Sequence, residues 1–188
     1  MFDRSGFIAE CQGVLGSDRP ARTIKDIVAR AVSEPSAVIK EFGVPASGGL
    51  ETIHRSPELT ILNVIWPVGQ IVMPHEHKVW AVVGIYAGRE DNILWRRLPG
   101  DAAGRIEAMG GKSLGEREAA AFGPDIIHSV VNPLARATAA IHVYGGDFFG
   151  VTRSEWDPES LRERPYDMDK VLRMFATQQP DRTFGFPN

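Results

Sequence analysis

The sequence predicts a mainly β protein, a sandwich or barrel of short strands with helices before and after it. Two observations carry this. Through the middle of the chain, short β-branched and apolar runs recur, each cut off by Gly, Pro, Asp or Asn. At both ends the apolar residues instead recur every three or four positions, the period of an amphipathic helix.

Taken in order, Phe7, Ile8, Cys11, Val14 and Leu15 suggest a first helix. In 21-ARTIKDIVARAVSEPSAVIKEFG-43, Ile24, Ile27, Val28, Ala31 and Val32 form one stripe. Pro35 stands where a further short helix would begin, with Ser33 or Glu34 before it, and Gly43-Val44-Pro45 ends it. After 46-ASGGL-50 the strand-like runs are 59-LTILNVIW-66, 70-QIVM-73, 79-VWAVVGIYA-87, 92-NILWRRL-98, 118-EAAAF-122, 126-IIHSVV-131 and 137-ATAAIHVYG-145. Residues 154–180 return to helical spacing, and Val171, Leu172 and Phe175 would pack a final helix on the barrel. No internal repeat or interdomain linker interrupts the chain. The expected organisation is a single domain over 1–188: a helical extension (1–45), a β-barrel (50–150) and a C-terminal helical segment (154–180).

At 188 residues with a formal charge of −3, the chain has no electrostatic footprint for nucleic acid or an anionic membrane. No apolar run approaches the ~20 residues that span a bilayer. The N-terminus, MFDRSGFIAECQGVLGSDR, has polar residues in every apolar stretch, unlike a cleavable signal. With Cys11 the single cysteine, no disulfide can form within the chain, and a cysteine-ligated metal is not expected. A cytoplasmic location is the expectation.

The five histidines, at 54, 75, 77, 128 and 142, fall in or just before the strand-rich middle. On a regular strand His75 and His77 share a face, which Val79, Ala81 and Val83 would continue. Pro74 before them suits a strand start or edge. The pair could face solvent. Turned inward, two unpartnered imidazoles would be costly, and one shared metal would satisfy both. His128 follows the turn signal 123-GPD-125 at the mouth of another strand, where a third ligand would sit. His142 and Tyr144 are also one residue apart. His142 is either a core histidine bonded to backbone or a ring that orients the Tyr144 hydroxyl. Trp66, Trp80 and Trp95 would line a barrel mouth or fill the core. Arg89, Glu90, Asp91, Arg96 and Arg97 read as a solvated loop and edge strand.

These spacings resemble the two motifs of the cupin superfamily, jelly-roll barrels also called double-stranded β-helices. The first motif is Gly, five residues, H-x-H, three or four residues, Glu, six residues, Gly. Here Gly69, His75, His77 and Gly88 fit, while Ala81 (or Val82 on the longer spacing) stands where the Glu would be. In the second, P-x-G-x-x-H-x-x-x-N, His128 and Asn132 match, and Gly123 and Asp125 replace the Pro and Gly. A three-histidine set without carboxylate looks like the cysteine dioxygenase-like and 3-mercaptopropionate dioxygenase-like thiol dioxygenases. The run 75-HEHKVWAVVGIYAGRE-90 is similar to bacterial members. The segment 140-AIHVYGGDF-148 resembles the family's Ser-x-His-x-Tyr, with Ala140 in place of the Ser. The Cys that some members crosslink to the Tyr would fall at Val82.

The resemblance implies a cupin jelly-roll barrel whose His75, His77 and His128 hold one divalent metal. Fe(II) is the expected ion, and Zn, Ni or Cu also suit imidazole. It implies an oxidoreductase, a non-haem iron dioxygenase that takes a small-molecule thiol and O2 to a sulfinic acid. Tyr144 and His142 would be the catalytic pair. Arg55 and His54 are candidates for binding substrate, since the family's carboxylate-binding residue lies upstream of the first motif, and Trp80, at the barrel mouth, is a third. A diketone-cleaving three-histidine enzyme and a non-catalytic metal- or ligand-binding cupin remain as alternatives. A homodimer is compatible with the sequence.

Overall fold

The computed structural model describes residues 1–176. The chain opens with three helices: α1 (Arg4–Gly13), α2 (Pro20–Val32) and α3 (Pro35–Phe42). The Asp3 carboxylate caps α1 by accepting the Gly6 N–H at 2.9 Å. Proline occupies the first helical position of α2 and of α3, where its missing N–H has no intrahelical partner to lose.

Strands follow in the order β1 (Gly49–Arg55), β2 (Thr60–Trp66), β3 (Ile71–Glu76), β4 (Ala81–Ala87), β5 (Arg89–Arg97), β6 (Ile106–Gly115), β7 (Ala119–Phe122), β8 (Ile127–Val131), β9 (Thr138–Tyr144), β10 (Ser154–Trp156) and β11 (Glu163–Pro165). The last described element is helix α4 (Met168–Ala176). The strands pair antiparallel in two sheets, β1-β2-β9-β4-β7 and β11-β10-β3-β8-β5-β6. This is the mainly β fold that the strand pattern predicts, in the jelly-roll form that the resemblance implies.

The two sheets enclose one core, to which Leu62, Val64, Val83 and Ile85 of the first sheet and Val72 and Val130 of the second contribute. The alternate residues of the first sheet, among them Ile61, Val82, Tyr86, Ile141 and Val143, point the other way and pack under α2 and α3. The central strands of that sheet are buried on both faces, so β2, β4 and β9 read as largely apolar runs and not as alternation. Cys11 lies in this outer layer, and burial pushes its thiol up to about 12, so it packs as a hydrophobe. No helix among the described residues is long and apolar enough to cross a membrane.

Three expectations need correction. Residues 154–167 are not helical: β10 and β11 extend the second sheet, with Glu155 opposite His75. Sheet pairing and a fully buried Trp156, whose indole N–H donates to the Gly104 carbonyl at 2.8 Å, override the local spacing. The helix is confined to α4, and residues 177–180 lie outside the described ones. Pro74 is not at a strand start or edge but inside β3, at a register shift between Val72 and His75 where no ladder N–H is required. Finally, His75 and His77 do not continue into one strand with Ala81. β3 ends at Glu76, Lys78 adopts φ +59, and β4 belongs to the other sheet.

Candidate metal centre

The register shift at Pro74 sets His75 opposite His128 of β8. His77 lies one residue beyond β3, and the left-handed Lys78 turns the chain away immediately after it. The three rings meet inside the barrel. His77 Nε2 is 3.2 Å from His75 Nε2 and 3.2 Å from His128 Nε2, and all three side chains are buried. Glu76, between the first two, points away: its carboxylate pairs with Lys78 at 2.9 Å and Arg97 at 3.3 Å and accepts the Ser154 N–H at 3.1 Å.

The hydrogen bonds fix the tautomers. His75 Nδ1 donates to the Met73 carbonyl at 2.8 Å, so its Nε2 is a bare lone pair. His128 Nδ1 donates to Asn92 Oδ1 at 2.8 Å, with the same result. Two lone pairs therefore converge on the third imidazole, whose Nδ1 is buried without a partner among the described residues. Burial drives all three away from protonation. The His75 pKa falls to about 4, and those of His77 and His128 are held well below the ordinary value, first by desolvation and then by the proximity of the other histidines, which makes a charge on any one of them costlier. A cluster of unprotonated nitrogens at this spacing suits a cation. Ligand nitrogens ~2.0–2.1 Å from one metal lie about 2.9–3.4 Å apart for right-angle to tetrahedral arrangements. No carboxylate joins the set among the described residues, in keeping with Ala81 at that motif position.

The other motif residues have structural tasks. Gly69 and Gly88 adopt φ +68 and +82, and a Cβ on Gly88 would lie 2.4 Å from the Thr138 hydroxyl. The Asn132 amide donates to the Trp66, Pro67 and Arg136 carbonyls and so ties the strand ends below the site.

Beside the histidines lies a small cavity of about 40 Å³, room for about three waters at the ~10–15 Å³ each requires. Its walls include Leu62, Trp66, Val72, His142, Tyr144 and Phe148. A larger cleft, about 330 Å³, lies among α1–α3 on the outer face and is lined by no histidine. Tyr144 sets its ring edge-on to His77, 5.1 Å between centroids, and its hydroxyl is 3.0 Å from His142 Nδ1. Burial holds the phenol well above its ordinary pKa. His142 Nε2 is in turn 3.3 Å from Glu90 Oε1.

Two residues that the sequence reading passed over stand here. Glu90 is buried rather than solvated. The signal was present: on β5, Glu90, Asn92 and Leu94 alternate inward while Arg89 and Ile93 are exposed. Arg153 is also buried, stacked between Phe148 (4.1 Å) and Tyr166 (4.2 Å), which reach the rings of His77 and His75. Among the described residues one of its nitrogens donates to the Phe148 carbonyl, the Tyr166 hydroxyl lies close to the guanidinium, Nε and Nη2 lack a hydrogen bond of good geometry, and no carboxylate pairs with it. No motif marks Arg153 in the sequence.

The proposed substrate residues do not join the cavity. His54 faces α1, with Nε2 3.5 Å from Gln12 Nε2. Arg55 forms a bidentate pair with Asp147 at 2.8 Å and lies over Phe149, half exposed. Both sit on β1, the edge strand of the first sheet. Trp80 packs on the Gly145 backbone, on the outer side with Val82 and Val143. Of the other indoles, Trp66 lines the cavity and Trp95 donates to Ser129 Oγ at 3.0 Å.

Fold and site together define a class: a jelly-roll barrel with a buried three-histidine cluster able to hold a metal. No family model matches the chain. Among solved structures it is similar to an RmlC-like cupin family protein with a double-stranded β-helix fold from Methanocaldococcus jannaschii, at 11% identity over 57% of this chain and 86% of that one (TM-score 0.46). It is also similar to an uncharacterized conserved protein with a double-stranded β-helix domain from Klebsiella pneumoniae, at 11% identity over 69% and 94% (TM-score 0.42). A third similarity is to a variant of oxalate decarboxylase from Bacillus subtilis, at 20% identity over 54% and 26% (TM-score 0.41).

Proposed function

We propose that this protein is a three-histidine, metal-dependent dioxygenase of the cysteine dioxygenase-like cupin type, acting on a small thiol that carries a carboxylate. The observation that carries the metal site is the convergence of His75, His77 and His128 through their Nε2 atoms, two of them with tautomers fixed as lone pairs. A divalent metal in this set, Fe(II) by the resemblance, would supply joint binding of thiolate and dioxygen, from which a sulfinic acid forms.

The chain's own residues would do the rest. Arg153 stacks between Phe148 and Tyr166, two walls of the cavity, and offers there the unpaired Nε and Nη2 of its guanidinium, a fork suited to a carboxylate. A buried guanidinium without a counter-charge is unfavourable, so an anionic ligand completes it. Tyr144 would meet the ligand at its hydroxyl, and the apolar walls would keep bulk water out. Holding the reacting groups in so small a space supplies much of the acceleration.

The test is oxygen uptake by anaerobically iron-loaded protein given 3-mercaptopropionate, cysteine, cysteamine or acetylacetone. Uptake with the two carboxylate-bearing thiols and little with cysteamine is the expected result. Turnover of the diketone alone would assign a carbon–carbon-cleaving enzyme, and uptake with none would assign a binding protein. In parallel, wild-type protein should hold close to one equivalent of metal and His128→Ala should lose most of it; full retention would remove His128 from the site.

A further inference from the structure

We infer that Glu90 anchors a Glu90–His142–Tyr144 relay that turns the Tyr144 oxygen into a proton acceptor toward the ligand in the cavity. This rests on the proposed site and adds to it a residue on the opposite sheet. Glu90 comes from β5 of the second sheet, whereas His142 and Tyr144 come from β9 of the first, so the relay spans the barrel. Nothing in the resemblance assigns Glu90, and the residue the family pattern would place behind the histidine is absent, since Ala140 has no hydroxyl.

The direction of each hydrogen bond follows from donor counting. Glu90 is 1% exposed, and its one ion-pair partner among the described residues is His142, at 3.3 Å. An ionised carboxylate only accepts, and burying it unpaired is costly. The proton between the two therefore sits on His142 Nε2. The relay takes His142 as neutral at rest, with its single N–H at Nε2, so Nδ1 is a lone pair. The Tyr144 hydroxyl, 3.0 Å from that lone pair, must donate to it. Its own remaining lone pairs are left for the cavity that the ring lines. A hydroxyl behind the histidine, able to donate or accept, would impose no such direction.

The consequence is a path for one proton. A thiol entering the cavity donates its S–H to Tyr144 Oη while the phenolic O–H passes to His142 Nδ1. The S–H bond breaks and a new O–H forms; the old O–H breaks and an N–H forms. A thiolate remains in the cavity, Tyr144 is again a neutral phenol, and the imidazolium lies against the Glu90 carboxylate. No electrons change hands. Glu90 is a positioning residue: it sets the tautomer of His142 and balances the charge that His142 acquires.

The test has two arms. In the first, zinc-loaded full-length protein labelled with ¹⁵N-histidine gives a long-range ¹H–¹⁵N spectrum, with His142 assigned by its loss in His142→Gln. The expected pattern is a protonated Nε2 and a bare Nδ1 in wild type, with a mixture of tautomers in Glu90→Leu. A wild-type His142 protonated at Nδ1 overturns the inference without any variant, and so does a Glu90→Leu spectrum unchanged at His142. This arm involves no turnover, so it stands apart from any failure of the thiol assignment. In the second arm, Glu90→Gln keeps the shape and removes the charge. For the preferred thiol, kcat should fall about a hundredfold, the scale of a lost proton-transfer aid, with KM shifted less than about threefold. Unchanged kcat, with metal content and near-UV spectrum as wild type, would overturn the charge-balancing role.

Discussion

Arg153 and His128 illustrate how differently two residues of the candidate site are written in a sequence. His128 is legible because H-x-H and a distant third histidine have a chemical meaning at any location, and because Asn132 four residues on fixes the register. Arg153 has no such signature. Its meaning comes from a loop that returns to the barrel and lays the guanidinium between Phe148 and Tyr166. Arg55 was the natural candidate by order in the chain, yet Asp147 neutralises it at the surface. In Arg153→Gln, KM for 3-mercaptopropionate should rise by about tenfold to a hundredfold, the weight of a charged hydrogen bond. Its activity on a thiol without a carboxylate should change little. An equal loss on both substrates would make Arg153 a packing residue.

At the scale of elements, the strands that were legible are those whose burial is simple. β2, β4 and β9 are buried almost throughout, and mostly apolar, because helices cover one face and the second sheet the other. β6 escaped notice because it is an exposed edge, rich in Gly and charge, and β10 because only three residues pair. The helix–sheet contact itself makes a sharp prediction at Gly84. A Cβ there would lie 2.3 Å from Val28 Cγ1 and 3.1 Å from Val32 Cγ1, so α2 rests directly on the β4 backbone. Gly84→Ala should destabilise the fold by ~1–3 kcal/mol through overpacking. Adding Val28→Ala removes the atom that is struck and should restore part of that loss, a non-additivity that thermal melts of the four proteins would measure. Purely additive melts would mean that α2 shifts away freely.

For the whole molecule, the three histidines couple folding to pH in a definite direction. The folded state holds His75, His77 and His128 below their ordinary pKa, His75 at about 4, because burial penalises their charged forms. The unfolded chain protonates the same residues near pH ~6.5. Between those values the unfolded state binds more protons, so stability rises with pH across the window and falls as pH drops through it. Above about pH 7 both states are unprotonated at these positions, and the contribution is complete. The half-buried carboxylates paired with arginine, Asp101 and Asp147, have pKa values lowered from the carboxylate range and titrate below this window. The Tm of metal-free protein should therefore be flat at neutral pH and fall between about pH 6.5 and 5. Replacing all three histidines with glutamine should flatten that fall while leaving the steeper acid loss below it. Bound zinc should raise Tm most at neutral pH, since it requires the same unprotonated nitrogens that folding preserves. A triple variant that keeps the wild-type slope from pH 6.5 to 5 would show that the cluster does not set the acid limit of the fold.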